Sequence, residues 1–180
     1  MKVLFVIKES NIHERLGVMY LSSVLKAKGH QTRLALVNRL EADGMIQLME
    51  DYRPAIVGYS AMTGEHMRLL EINKTLKEKF QFISVFGGPH ATFFPELIKE
   101  EGCDAVCVGE GEIPFPEFCG RVEKNEDYWH TPNFVVKRNG DVITNPLSPL
   151  IENLDEIPFP DRELMYEADP TLFHESHKIF

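Results

Sequence analysis

The chain has 180 residues, of which 43% are hydrophobic and 26% charged, with a formal net charge of -9 and a pI near 5.3. That acidic balance argues against a nucleic-acid partner, which needs a basic face to meet phosphates, and no apolar run approaches the roughly 20 residues of a membrane span. The length fits one domain, or one domain with an appendage, and is enough to bury a core.

Residues 2–7 are apolar and β-branched and read as a first strand. Lys8-Glu9 cuts the run too short for a signal peptide, which implies a cytoplasmic protein. Residues 8–16 are polar and irregular. A helix over 17–28 carries Tyr20, Leu21, Val24 and Leu25 on one face and stops at Gly29. Residues 32–37 alternate apolar and polar, as a half-exposed edge strand does. Met45, Leu48, Met49 and Tyr52 give a second helix that ends before Pro54. A third strand at 55–59 closes on Ser60-Ala61-Met62-Thr63-Gly64, and the next helix turns Leu69, Ile72, Leu76 and Phe80 inward.

Residues 84–112 hold the most informative stretch. A fourth strand at 83–86 stops at Gly87-Gly88-Pro89-His90, a helical stretch follows, and a fifth strand at 105–108 stops at Gly109-Glu110-Gly111-Glu112. Short continuous apolar runs are the mark of buried parallel strands. Glycines at their carboxyl ends let backbone approach a bulky ligand without a Cβ in between. A last helix over 114–122 is entered through a proline.

Five alternations of strand and helix predict an α/β fold: a flavodoxin-like, doubly wound, five-stranded parallel sheet of order 2-1-3-4-5. Ligands of such sheets bind outside the carboxyl ends of the strands, so the loops at 8–17, 60–64, 87–91 and 109–112 should share one rim. After Asn125 the alternation breaks. Residues 134–143 read as a β-hairpin turned by Asn139-Gly140. Pro146, Pro149, Pro158, Pro160 and Pro170 then make an extended, wrapping tail. The organisation is thus 1–125 for the ligand-binding domain and 126–180 for hairpin and linker.

The loop after the first strand has a single glycine, Gly17, so neither a GxGxxG nor a Walker A pattern is present and dinucleotide or nucleoside triphosphate binding is disfavoured. A phosphoacceptor site fails as well, because Glu9 stands alone and Ser60, not an aspartate, ends the third strand. Flavin binding at the switch point stays open. Met45, Met49, Phe93 and Phe94 sit at helical spacing and read as core. Ser60 and Thr63 can bind a heterocycle nitrogen or a phosphate oxygen through their hydroxyls. Thr63 can equally cap the following helix with Glu65-His66.

The chain resembles the cobalamin (vitamin B12)-binding domain that precedes the catalytic barrel in cobalamin-dependent radical S-adenosylmethionine (SAM) proteins, the class B methyltransferases and the anaerobic magnesium-protoporphyrin monomethyl ester cyclases. The resemblance runs over nearly the whole length. Its carriers are Leu16-Gly17-Val18-Met19-Tyr20-Leu21 with Lys28-Gly29-His30, Val57-Gly58-Tyr59-Ser60, and Phe86-Gly87-Gly88-Pro89-His90-Ala91-Thr92. Asp104-Ala105-Val106-Cys107-Val108-Gly109-Glu110-Gly111-Glu112 and the segment 154–162 continue it.

What the resemblance implies is cobalamin on the carboxyl rim, held for methyl transfer or cobalt-assisted radical chemistry by a downstream barrel. That barrel is the expected partner and carries the [4Fe–4S] cluster and S-adenosylmethionine. The present sequence stops where it should begin, so alone it should bind and not turn over. Cofactor contacts are implied for Asn11, Ile12, His13, Leu16, Gly17, Ser60, Ala61, Met62 and Thr63, and for Gly87, Gly88, Pro89, His90, Gly109, Glu110 and Gly111.

His13 carries the metal question. Some cobalamin domains coordinate cobalt from below through the histidine of D-x-H-x-x-G. Here Asn11 replaces the aspartate and Gly17 lies one residue too far, so His13 is either that lower ligand or a loop histidine that leaves the metal alone. Cys103 and Cys107 have one spacing of a cluster motif but no third cysteine two residues on, and are read as core filler. The competing classes are a flavin-binding electron-transfer or regulatory module and an interaction domain whose pocket binds nothing.

Overall fold

A computed structural model describes residues 1–8, 15–38, 40 and 42–171. In chain order the elements are β1 (Lys2–Ile7), α1 (Leu16–Ala27), β2 (Gln31–Leu36), α2 (Ala42–Tyr52), β3 (Ile56–Ser60), α3 (His66–Lys77) and β4 (Ile83–Gly87). They continue with α4 (Gly88–Phe93), β5 (Ala105–Cys107), α5 (Pro114–Glu123), β6 (Phe134–Arg138), β7 (Asp141–Thr144) and α6 (Arg162–Ala168). No helix among the described residues is long and apolar enough to cross a membrane.

The first five strands are parallel and stand in the order 2-1-3-4-5, as their alternation with helices predicts. The hairpin does more than follow this sheet: β6 pairs antiparallel with β5, Val106 opposite Val135, and extends it to the seven-strand order 2-1-3-4-5-6-7. Asn139 (φ +52°) and Gly140 (φ +93°) both occupy the left-handed region that a two-residue hairpin turn requires.

Side-chain alternation along the strands sorts the core into two layers. Leu4, Val6, Val57, Tyr59, Phe86 and Val106 face α2, α3 and the turn at Pro95–Lys99. Val3, Phe5, Ile7, Ile56, Val85, Ala105 and Cys107 face α1, α5 and α6. All three cysteines are buried thiols in these layers. Burial pushes Cys103 and Cys107 up to about 12, so both stay protonated and unreactive at neutral pH.

Two expectations fail. Phe93 and Phe94 are not core: they are 76% and 45% exposed. The helix they were assigned to ends at Phe93, because Phe94 precedes Pro95 and is pushed out of the helical region, to φ −131°. The tail is not extended throughout. Asp161 caps a short helix, α6, by accepting from the Leu164 N–H, and that helix buries Leu164 and Met165 against the sheet. Asp161 also accepts from the buried Ser22 hydroxyl at 2.5 Å and pairs with Lys26 at 2.7 Å, tying the tail to α1.

Candidate functional site

At the carboxyl ends of β1, β3, β4 and β5 the sheet opens into a cavity of about 470 Å³ that descends between the strands and the helices α1 and α5. Its floor is one register row across three strands. Phe5 pairs with Gly58, and Gly58 with Val85. Cys107 of β5 adds the fourth side, Val18 and Leu21 of α1 and Phe115 of α5 form the walls, and the character is apolar.

Gly58 is what makes this floor low. A Cβ at that position would stand 3.2 Å from Cδ1 and 3.4 Å from Cε1 of the Phe5 ring. A glycine inside a strand gives up packing, and close approach of a ligand is one reason for a fold to keep one there.

The rim is built from the strand ends. Ser60 lies on the same strand face as Gly58 and is paired with Gly87. Ala61 stitches the two loops together, since its N–H donates to the Gly87 carbonyl at 3.0 Å and its carbonyl accepts from the His90 N–H at 3.0 Å. Gly88 turns the chain directly from β4 into α4 with φ +87°. A Cβ there would meet the Ala61 oxygen and the Ser60 Oγ, each at 3.0 Å, so both the dihedral and the space demand glycine.

Of the residues expected at the site, the structure brings Gly17, Ser60, Gly87, Gly88, Pro89, Gly109, Glu110 and Gly111 to this one cavity. Asn11, Ile12 and His13 lie outside the described residues. Leu16 and Met62 are largely exposed, Ala61 is fully buried behind Ser60, and these three do not line the cavity. Thr63 does not cap α3, whose N-cap residue is Glu65 without a side-chain cap. Its hydroxyl lies 3.2 Å from Nδ1 of His90 instead.

His90 is buried and turned away from the cavity. Its ring stacks on His66 at 3.7 Å and on Phe94 at 5.0 Å. Burial first, and then the neighbouring His66, hold its pKa below the ordinary imidazole value of 6.5, against an opposing pull from Glu96. His30 is depressed in the same direction, mainly by burial.

Both imidazoles are therefore neutral in the folded chain at pH values where the unfolded chain has begun to take up protons. Stability from these groups is complete above pH 6.5 and is lost as pH falls through the folded values. Thermal melts at pH 7.5 and 5.5 should show a drop at the lower pH, and His90→Gln should make that drop smaller. An unchanged drop in the variant would exclude His90 as a source.

Glu110 is not a solvated turn acid. Its carboxylate accepts from the Ile151 N–H at 2.9 Å, and its carbonyl accepts from the Asn133 amide at 3.1 Å. Asn133 in turn accepts from the Ser148 N–H at 2.6 Å. The tail is thereby strapped to the β5 loop, which brings Leu150 to the cavity mouth. The neighbouring Glu112 also lines the cavity, but its Oε2 is sealed from solvent and has no hydrogen-bond partner among the described residues.

Phe5, Gly58, Phe93, Cys107, Glu112 and Phe115 were not on the expected list, yet they line the cavity. Gly58 alone carried a local signal, a glycine inside an apolar strand.

Residues 3–119 match the family model described as the B12 binding domain. A Pyrococcus horikoshii protein named an uncharacterised methyltransferase is 35% identical over 169 residues, which is 88% of this chain and 36% of that protein. The chain thus spans about a third of that relative's length.

Among solved structures, the cobalamin-dependent S-adenosylmethionine radical enzyme OxsB, with aqua-cobalamin and S-adenosylmethionine bound, superposes with a TM-score of 0.78. The match is 19% identical and covers 94% of this chain and 25% of OxsB. The radical S-adenosylmethionine methyltransferase TsrM from Kitasatospora setae, with cobalamin and a [4Fe-4S] cluster bound, gives a TM-score of 0.71 at 17% identity, over 88% of this chain and 31% of TsrM. At such identities these two likenesses speak for the fold.

Proposed function

The chain belongs to the B12-binding domain family, and from that premise we propose that its cavity receives the nucleotide arm of cobalamin while the glycine rim supports the corrin. The observation that carries this is the floor row Phe5–Gly58–Val85. It leaves an apolar slot, deep enough to line with residues from four strands and three helices, at the place where a flat heterocycle would enter. Gly88 and Gly111 add to the fit. A Cβ on Gly111 would stand 3.0 Å from Leu21 Cδ2, so side chains larger than hydrogen at these two positions would crowd the rim and the wall. Ser60 offers a hydroxyl at the slot's mouth.

When bound, cobalamin supplies methyl carriage on cobalt or cobalt-assisted radical reactivity. This chain's own residues bind, orient and exclude water from the arm. Exposed apolar side chains stand in the segments that follow β3, β4 and β5: Met62, Phe93, Phe94 and Ile113. An apolar fringe around a cofactor mouth is the kind of surface a second domain covers. A radical SAM domain, which would hold the [4Fe–4S] cluster and S-adenosylmethionine, is the partner proposed here, in line with the named chemistry of OxsB and TsrM. The flavin alternative gains no support from the family match.

Titration of the pure chain with hydroxocobalamin, followed in the visible spectrum, tests the reading. Saturable band shifts and co-elution on a desalting column are expected. Free passage of the corrinoid through the column overturns the proposal. The same spectra decide the lower ligand: His13→Ala changes the bands if the imidazole coordinates cobalt and leaves them unchanged if it does not.

A further inference from the structure

We propose, on the strength of the cobalamin reading, that Leu150 completes the cofactor site by closing over the nucleotide arm where it enters the slot. Leu150 belongs to the tail and lies outside residues 3–119, the segment matched to the B12-binding family. Of the large apolar side chains exposed among the described residues, only Phe93 and Leu150 line the cavity. Phe93 comes from α4, inside the family match, and Leu150 is the tail's own contribution. Leu150 is 74% exposed, so an occupant of the slot meets an accessible apolar surface there. Covering that surface removes it from water and favours binding.

A hydrogen-bond network holds the tail at this place. The buried Asn133 gives both ends of its amide to it: Nδ2 donates to the Glu110 carbonyl at 3.1 Å, and Oδ1 accepts from the Ser148 N–H at 2.6 Å. The Asn133 N–H donates to the Pro146 carbonyl at 3.0 Å. Asn133 adopts φ +65°, in the left-handed region, where asparagine is among the residues most readily accommodated. The Glu110 carboxylate accepts from the N–H of Ile151, the residue after Leu150, at 2.9 Å. The tail is thus gripped at 146, 148 and 151, on both sides of Leu150. With its backbone already held, little ordering remains to oppose the contact when the arm arrives.

The test compares cobalamin with cobinamide, which lacks the nucleotide arm, on the intact chain and on Leu150→Ala, Leu150→Met, Glu110→Ala and the Glu110→Ala/Leu150→Ala double variant. Leu150→Ala should weaken cobalamin about 10-fold, equivalent to ~1.4 kcal/mol, and leave cobinamide unchanged. Leu150→Met, which keeps the apolar bulk, should stay close to wild type for both. Because Leu150 is exposed, neither substitution should move the melting temperature of the free chain. Glu110→Ala releases the strap and should cost cobalamin part of the same factor. In the Leu150→Ala background it should cost nothing further, since both act through one contact.

Equal cobalamin affinity in wild type and Leu150→Ala overturns the proposal while leaving the slot reading intact. So does a parallel loss of both corrinoids, which would place Leu150 against the corrin and not the arm. A full further loss from Glu110→Ala in the Leu150→Ala background overturns the role of the strap, because Glu110 would then act independently. A wild-type chain that binds cobalamin no more tightly than cobinamide overturns the slot reading itself, and this proposal with it.

Discussion

Gly58→Leu should abolish retention of cobalamin while leaving the chain folded. The new Cβ alone would stand 3.2 Å from Phe5 Cδ1, and Phe5 is almost wholly buried, so its ring can yield only by tenths of an ångström. The remaining carbons project from the sheet face shared with Phe5 and Val85, and the open volume on that face is the slot. Overpacking ordinarily costs about 1–3 kcal/mol. Here part of that is offset, because leucine suits a strand interior better than glycine does. Binding should fall by at least about 100-fold, equivalent to ~2.7 kcal/mol. The check pairs a corrinoid titration with a thermal melt of the same sample. A leucine variant that still holds cobalamin tightly would show that the arm lies elsewhere.

Phe118→Ala should carry the largest stability loss, about 3–5 kcal/mol, from the transfer and cavity terms of deleting a buried ring. Phe118 is fully buried on α5, stacks on Phe134 of β6 at 4.3 Å and meets Tyr128 edge-on at 5.2 Å. Phe134 also stacks on Phe115, the slot wall, at 6.3 Å. This column of rings ties the hairpin to the helix beside the cavity. Its loss should therefore weaken corrinoid binding as well as folding. For a domain whose total stability is about 5–15 kcal/mol, the shift is readily seen in urea unfolding at an unchanged slope. A loss below about 1 kcal/mol would mean that the column contributes little beyond its contacts with solvent-facing neighbours.

Most of the frame was legible because it is written in local periodicity. The strand over 2–7 and the hairpin turn at Asn139-Gly140 emerge where alternation and turn chemistry place them. So do the five-strand parallel order and the glycine-rich ends of β4 and β5. These depend on residues within a few positions of one another, which is the range over which side-chain period and φ preference act.

Of the features that were not legible, the first turns on an adjacent proline and the others on distant partners. Phe93 and Phe94 have helical spacing, but one residue before Pro95 the helix can no longer continue, and both rings turn outward. His90 follows the glycine pair in sequence, yet His66, 24 positions earlier, and Thr63 hold its ring away from the cavity. Glu110 and Glu112 look alike in the run Gly109-Glu110-Gly111-Glu112; only the strap at Ile151 distinguishes the engaged carboxylate from the orphaned one. The helix after Asp161 forms where the tail meets Ser22, 139 positions away, and no local pattern encodes that meeting.

By itself, then, the order of residues determined a parallel sheet with a glycine-rich carboxyl rim, because hydrophobic period and backbone sterics are local properties. Tertiary packing alone decided how deep the slot runs, which carboxylate the tail engages and what the tail covers, because those follow from side chains brought together across the sheet.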